Sequence, residues 1–564
     1  MYLPHLKKAL GGLGVTLALA PLAAAQTPPI RDPNDQFMRE QQERLRRELI
    51  ERSAQGAIQQ EDAPQASAAS GEGFPAGLAT TGPSFEIHDI GLDGDAGLLA
   101  AARFRLIAHP FLGQKLAVEH INVLLERINK ALIEAGYTTS RAYVGGQNLQ
   151  GGVLTVTIVA GRIEKILLDG QPASGIGARL AMPMKAGDIL RLQDIEQAVD
   201  QLNRLRRNSM QVLIKPGEGH GGSIVEFANK RGDALHYNIG VDNGGSTATG
   251  TARVQMGLDA GDVLGLMESI NIGLTTSQET NAIHALLSVP FGYYTVSAMA
   301  SVSEYQNLIA DTALVYGRSR NYSLSLNRLL SRDQTSKTAL DISLARRDST
   351  REVNNYPLLP QAQTSVRAGL NRLQRFDTAS GPAQFTIDAG ISKGIRALGA
   401  DRDPADLPKE AARYQFSKLD LTATLDRPLP RSWMYRSRLN AQWSRHPLYS
   451  SEQLFAGGMS SVRAYPESYL GGDRGWVWRN EFSYPRAQPL WDNSVRYEPY
   501  LFVDAARLNT VSDRRSRTLA GAGAGARVVF QRLFGDVQLG RAFHSPQGWP
   551  RQGWRLNANV TYQF

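Results

Sequence analysis

The sequence predicts a transmembrane β-barrel of about 16 antiparallel strands, preceded by two small α/β modules and an N-terminal polar helix. Three observations carry that expectation. From about residue 235 to the C-terminal Phe564, apolar and polar residues alternate with period two between turn signals. Between residues 84 and 232, one order of strand, helix and paired strands occurs twice. After the first 25 residues no uninterrupted run of about 18 apolar residues occurs, and the mean hydropathy is -0.29, which excludes a helical membrane bundle.

The chain opens with MYLPHLKKALGGLGVTLALAPLAAAQTPP, where Lys7 and Lys8 precede an apolar stretch (9–22) and the run Ala23-Ala24-Ala25. That order reads as a secretory signal peptide over residues 1–25, so the mature chain is expected to be exported. Zero cysteines in 564 residues remove disulfide scaffolds, thiol chemistry and cysteine metal sites. The formal charge of +9 comes from 62 basic and 53 acidic residues without a dominant basic block, an ordinary charged surface and not a nucleic-acid interface. For an exported chain the expected anionic neighbour is a lipid head-group layer.

Residues 26–60 carry the polar helix, DQFMREQQERLRRELIERSAQGAIQQ from Asp35, with Glu40 facing Arg44 and Glu43 facing Arg47 at helical spacing. Its apolar residues are few: Phe37, Met38, Leu45, Leu49 and Ile50. A helix polar on all sides is not core; it spans water or stays disordered. Residues 61–83, EDAPQASAASGEGFPAGLATTGP, read as a flexible tether.

In the first module (84–161), FEIHDIGL reads as a strand, VEHINVLLERINKALIEAGY as a helix with an apolar stripe, and GGVLTVTIVAGRIEKILLDG as two strands around Gly161. In the second (162–232), RIEKILLDG is a strand, LRLQDIEQAVDQLNRLRRN a helix and MQVLIKPGEGHGGSIVEFAN a hairpin. The region 233–564 is the barrel. LHYNIGV sets Leu235, Tyr237, Ile239 and Val241 against His236, Asn238 and Gly240, and the final RLNANVTYQF alternates in the same way. A sandwich also alternates. Arg, Asp and Asn at mid-strand, aromatics at strand ends, and short connections such as DRPLPRS alternating with long ones favour a barrel with a wet lumen.

Several motifs lose their force in context. GEGHGG (217–222) satisfies G-x-G-x-x-G, but SIVEF follows where a nucleotide fold needs a helix. GAGAGA (521–526) lies inside a strand, where its small residues are expected to thin the wall. There is no G-x-S-x-G, and the nine histidines include no H-x-x-x-H pair, so neither a serine hydrolase nor a zinc site is supported.

LRLQDIEQAVDQLNRL with KPGEGHGGS resembles the second periplasmic domain of two-partner secretion transporters. VDNGGSTATGTAR (from Val241), SVPFGYY (from Ser288) and GGMSSVRAYPESYLGGDRG (457–475) resemble their barrel. The features occur in the right order over nearly the whole mature chain, through two POTRA modules to Phe564, and identify the chain as a member of the outer-membrane insertase superfamily. The resemblance implies an outer-membrane transporter with periplasmic POTRA modules, exporting one large extended partner protein that carries an N-terminal secretion domain. It implies no cofactor, metal, nucleic acid or catalytic residue, and a monomer in contact with outer-membrane lipids and lipopolysaccharide. It also implies a plug helix in the lumen, bearing Phe37, Arg44, Leu45, Arg47 and Leu49, and a C-terminal insertion signal at Tyr562 and Phe564 read by the barrel-assembly machinery.

In that family a loop carrying V-R-G-Y folds inward, and its arginine pairs with the acidic residue of an F-x-D motif on the inner wall. The matching residues here are Val462, Arg463, Ala464 and Tyr465, with Phe502, Val503 and Asp504. Ala464 replaces the family's glycine, and a need for positive φ there would strain it. The alternatives are an insertase, which would normally bring more POTRA modules and no polar plug helix, and a ligand-gated nutrient porin, which would need a globular plug. The cargo stays open among adhesin, cytolysin, haem-scavenging protein and contact-inhibition toxin.

Overall fold

The computed structural model describes residues 73–564 apart from 76, 81, 220, 247, 310, 311, 468, 491, 492 and 514. The expected signal peptide and the plug-helix residues Phe37, Arg44, Leu45, Arg47 and Leu49 lie outside the described residues. Within the expected tether, the described end is pinned to the first module: Phe74 stacks on His120 at 5.0 Å between ring centroids, and Arg127 donates to the Gly73 carbonyl at 2.7 Å.

The first module packs helix Val118–Glu134 on a three-stranded sheet of Asp89–Gly94, Val153–Val159 and Arg141–Tyr143. Ile121, Leu124, Ile128 and Leu132 recur at helical spacing on the buried face, and Gly136, at φ 93, lets the chain turn away after the helix. The two strands around Gly161 do not pair with each other. Val153–Val159 joins this sheet, whereas Arg162–Leu168 pairs with Gly222–Asn229 in the second module. The paired strands of the first module are instead Arg141–Tyr143 and Val153–Val159, with strand Phe85–Ile87 set apart against Gln114–Leu116.

The second module orders its sheet as Gln171–Pro172, Arg162–Leu168, Gly222–Asn229 and Met210–Pro216. GEGHGG forms the turn of the hairpin Met210–Pro216 and Gly222–Asn229, and the Glu164 carboxylate accepts from the Glu218 and Gly219 N–H groups at 2.9 and 2.6 Å. Gly221 takes φ 74 in this turn, and Cβ atoms on Gly217 and Gly222 would displace that carboxylate, so the glycines serve the hairpin.

The barrel closes with 16 staves, from Leu235–Asp242 to Trp554–Gln563, all antiparallel. Tyr356–Pro357 extends the stave Gln361–Thr378, and Arg486–Leu490 extends Arg474–Ser483. Closure pairs Asn238 through Asp242 with Gln563 through Asn559. Leu235, Tyr237, Ile239 and Val241 point outward, as do Leu556, Val560, Tyr562 and Phe564. The Phe564 N–H donates to the Tyr237 carbonyl at 2.9 Å, and the Tyr562 and Phe564 rings meet edge to face, so the C-terminal aromatics sit on the closing seam. The second module sits against the short turns of the barrel, where the Gly177 N–H donates to the Gly265 carbonyl and the Gly292 N–H to the Leu180 carbonyl. Those turns mark the periplasmic end. The long connections, including 445–473, lie at the other.

Candidate functional site: an inward loop clamped to the barrel wall

The connection between staves Trp433–Ser444 and Arg474–Ser483 folds into the lumen. Leu454–Ala456 pairs with Leu470–Gly472 as a small hairpin at its base. The Asp473 carboxylate fixes that base by accepting from the Leu448 and Val511 N–H groups at 2.9 and 2.7 Å. At the tip, the Tyr465 N–H donates to the Val462 carbonyl at 3.0 Å in a tight turn, and the Gly458 N–H donates to the Tyr465 carbonyl at 2.9 Å. Val462, Ala464 and Tyr465 join a buried apolar cluster with Val477, Ala506, Leu508 and Leu519 of the wall. Fixing a loop costs about 1–2 kcal/mol per residue, so this apolar seat is what lets it stay folded inside a wet pore.

Arg463 sits at the centre and is 1% exposed. Its guanidinium grips Asp504 with two prongs, Nε to Oδ2 and Nη2 to Oδ1, each at 2.8 Å. The Arg463 main-chain N–H reaches Oδ2 at 3.1 Å, so one carboxylate holds both the side chain and the loop backbone. The guanidinium lies 4.0 Å from the Phe502 ring centroid, a cation–π contact in a water-poor site. The Tyr465 hydroxyl donates to the His544 carbonyl and lies 3.1 Å from Ser545 Oγ, and Asn557 donates to the Arg463 carbonyl at 3.0 Å. The expected residues Val462, Arg463, Tyr465, Phe502 and Asp504 thus meet in one place.

The sequence reading missed the rest of the cluster. Glu481 accepts from Arg463 Nη1 at 2.8 Å and from both outer nitrogens of Arg527 at 2.6 and 2.8 Å. Arg527 lies 4.3 Å from the Tyr500 ring, whose hydroxyl donates to Asp536 at 2.7 Å. Arg436 reaches Glu498 at 2.7 Å. All these residues stand on inward faces of neighbouring staves, where Glu481 is opposite both Arg436 and Phe502 and Arg527 is opposite both Glu498 and Asp536. Strand alternation would have placed Glu481 in the lumen. It would not have said which lumen cation it meets.

Two expectations change. Ala464 is not among the residues with positive φ, so alanine is unstrained in this turn. The glycines of GAGAGA do more than thin the wall: a Cβ on Gly521 would overlap the Ala464 methyl, and Cβ atoms on Gly523 and Gly525 would overlap the rings of Phe502 and Tyr500. They open the inner surface for the loop tip and its aromatic platform.

Known proteins agree with this architecture. The family described as "Haemolysin secretion/activation protein ShlB/FhaC/HecB" matches residues 221–528, and POTRA domain families match 85–161 and 162–216. The chain is 31% identical over 477 residues to the outer membrane transporter CdiB of Dickeya dadantii, covering 82% of this chain and 83% of that protein. It is 28% identical over 467 residues to the hemolysin transporter protein ShlB of Serratia marcescens, covering 80% and 81% of the two. The solved structure of CdiB from Escherichia coli superposes with a TM-score of 0.84 at 27% identity, over 96% of this chain and 100% of that one. A 16-stave outer-membrane barrel behind two POTRA domains therefore belongs to the ShlB/FhaC/HecB family of haemolysin secretion/activation proteins.

Proposed function

We propose that this protein is the outer-membrane transporter of a two-partner secretion system, recognising one large exported protein in the periplasm and passing it in extended form through its barrel. The observation that carries the reading is the loop tip sealed inside the lumen by Arg463 and Asp504, a device that fixes pore geometry and does no chemistry. The module edges supply recognition. Met210–Pro216 ends the sheet of the second module with Leu213 and Ile214 exposed, and Arg141–Tyr143 and Asp89–Gly94 end that of the first. An incoming extended chain adds to such an edge through main-chain hydrogen bonds with little demand on sequence.

The polar helix over residues 35–60 fills the lumen at rest and leaves when cargo enters, because its surface suits water on all sides. The protein acts as a monomer without cofactor or enzymatic step; folding of the cargo outside the cell draws it outward. Tyr562 and Phe564 serve as the insertion signal for the barrel-assembly machinery, and the barrel wall contacts outer-membrane lipids and lipopolysaccharide.

Co-production with its large exported partner protein should deliver that protein to the medium. Retention in the periplasm, with the barrel correctly assembled, rejects the reading. Deleting residues 35–60 should raise single-channel conductance in planar bilayers and leave export largely intact. An unchanged conductance removes the plug assignment.

A further inference from the structure

The outward face of the barrel carries a groove of about 580 Å³ over the staves Ser336–Val353 to Trp433–Ser444. It dips at the small residues Ala368, Ala389 and Ala441, among which Leu370, Leu419, Leu421 and Trp443 stand as the larger lining residues. Leu370, Leu419 and Trp443 are between 48% and 51% exposed, so they face the membrane and not the lumen. The register makes the groove continuous: Leu370 is opposite Ala389, Ala389 opposite Leu421, and Leu421 opposite Ala441. A flat wall of leucines would hold lipid chains loosely. A trough with an alanine floor holds a chain in a fixed track.

Basic residues stand above the trough on the same outward face, toward the long-loop end of the barrel. Lys393 lies two positions beyond Ile391, and Arg445 two beyond Trp443; both are exposed. The Arg474 guanidinium lies 5.3 Å from the Trp443 ring, its Nε donating to the Ser444 carbonyl and its Nη2 to the Arg445 carbonyl. Among the described residues neither Lys393 nor Arg445 stands in an ion pair, and Arg474 lies within electrostatic reach of the Asp473 carboxylate without a direct ion pair. Inward cations behave differently. Arg367, Arg463 and Arg527 each bind carboxylates. Lys393 and Arg445 are two staves apart, roughly 10 Å at ~4.8 Å per strand, a span that two phosphates on one head group can bridge.

We infer that this trough and its basic rim form a binding site for one bis-phosphorylated, multiply acylated glycolipid of the outer leaflet. The acyl chains lie along the alanine floor, and the phosphates sit on Lys393, Arg445 and Arg474. Three features select that occupant: Lys393 and Arg445 stand in the rim without an ion pair among the described residues, the apolar track ends beneath them at Leu419 and Trp443, and the rim stands at the long-loop end of the barrel. The site rests on the proposed contact of the barrel wall with lipopolysaccharide, to which it gives a place and residues, and it stands or falls apart from the secretion reading.

The test uses the full chain in detergent, with lipid A, its dephosphorylated form and phosphatidylglycerol as probes, read by native mass spectrometry and by thermal shift. One lipid A should stay bound through detergent exchange, with the dephosphorylated form and phosphatidylglycerol at least about tenfold weaker. Replacing Lys393, Arg445 and Arg474 together by Ala should weaken lipid A by about a hundredfold. Ala389→Phe, which fills the floor and leaves the cations in place, should also lose the bound copy. Heat-modifiable gel mobility checks that each variant has a folded barrel, and if the triple variant fails to fold, Ala389→Phe decides alone. Equal retention of all three probes, or full retention by a folded Ala389→Phe variant, overturns the site in favour of a non-selective lipid annulus.

Discussion

The ionic cluster at the periplasmic junction and the one at the loop tip are both buried, and they are built differently. At the periplasmic junction, helix Leu192–Asn203 turns one face to its own sheet through Ile195, Ala198 and Leu202. Its other face, Gln197, Asp200 and Gln201, is also buried, but against the barrel. Gln197 and Gln201 donate to the Gly292 carbonyl at 3.0 and 2.8 Å, and Arg204 donates to the carbonyls of Met267 and Ser288 at 2.8 and 3.1 Å. Arg332 joins Glu196 and Asp200, each at 2.7 Å, and Lys337 also pairs with Asp200. The junction therefore combines the main-chain carbonyls of Met267, Ser288 and Gly292 with the Asp200 and Glu196 carboxylates, whereas the loop clamp relies on side-chain carboxylates around Arg463. A carbonyl network spreads the load over many groups that substitution cannot remove. A carboxylate clamp concentrates it in a few residues.

The largest effect should come from the clamp. Arg463→Ala leaves the fully buried Asp504 without its cation, a change that costs about 3–5 kcal/mol in comparable sites, and Asp504→Ala removes the two-pronged grip and the tie to the loop backbone while Glu481 still holds Arg463 Nη1. Each should abolish most secretion while the barrel still assembles. Arg463→Lys should rescue poorly, because an ammonium offers neither the two-pronged grip on Asp504 nor the further bond to Glu481. In a double-mutant cycle on secretion the second substitution should add little to the first. Independent, multiplying defects would mean that the two residues do not act as a pair.

A smaller effect is expected from Asp200→Ala. Lys337 loses the Asp200 carboxylate, a cost of about 3 kcal/mol for a buried pair, but Arg332 keeps Glu196 and the bonds of Gln197, Gln201 and Arg204 to main-chain carbonyls persist, so the junction should loosen without opening. Limited proteolysis between the second module and the barrel should quicken, with secretion reduced only a few-fold. Secretion falling as far as it does for Arg463→Ala would erase the contrast between the two clusters.

The smallest effect belongs to Ala464→Gly. Alanine has ordinary φ there, and its methyl joins the apolar seat, so glycine should cost less than about 1 kcal/mol through added chain freedom. Secretion should stay near that of the natural chain. A clear gain would show that the turn prefers the family's glycine after all.

The clamp was half legible in the sequence. Val462, Arg463 and Tyr465 lie within four residues, and Phe502 and Asp504 within three, so each half is a local pattern. Glu481 and Arg527 belong to no short motif; they become partners only because the staves carrying them lie side by side with Asn493–Asn509 between them. The junction was not legible at all. Helix Leu192–Asn203 looks amphipathic, and a polar face reads as solvated until a second body covers it.

The sequence by itself determined what is periodic or contiguous: the alternation that makes staves, the helical stripe of each module, the turn glycines of GEGHGG and the loop arginine. Those follow from local sterics and from which face of an element is apolar. Only the tertiary structure decided which strand each edge joins around Gly161, which glycines of GAGAGA yield to Ala464, Phe502 and Tyr500, and which polar helix face is buried. These depend on atoms brought together from distant parts of the chain. A single side chain carries no record of the neighbour that sheet closure will set beside it.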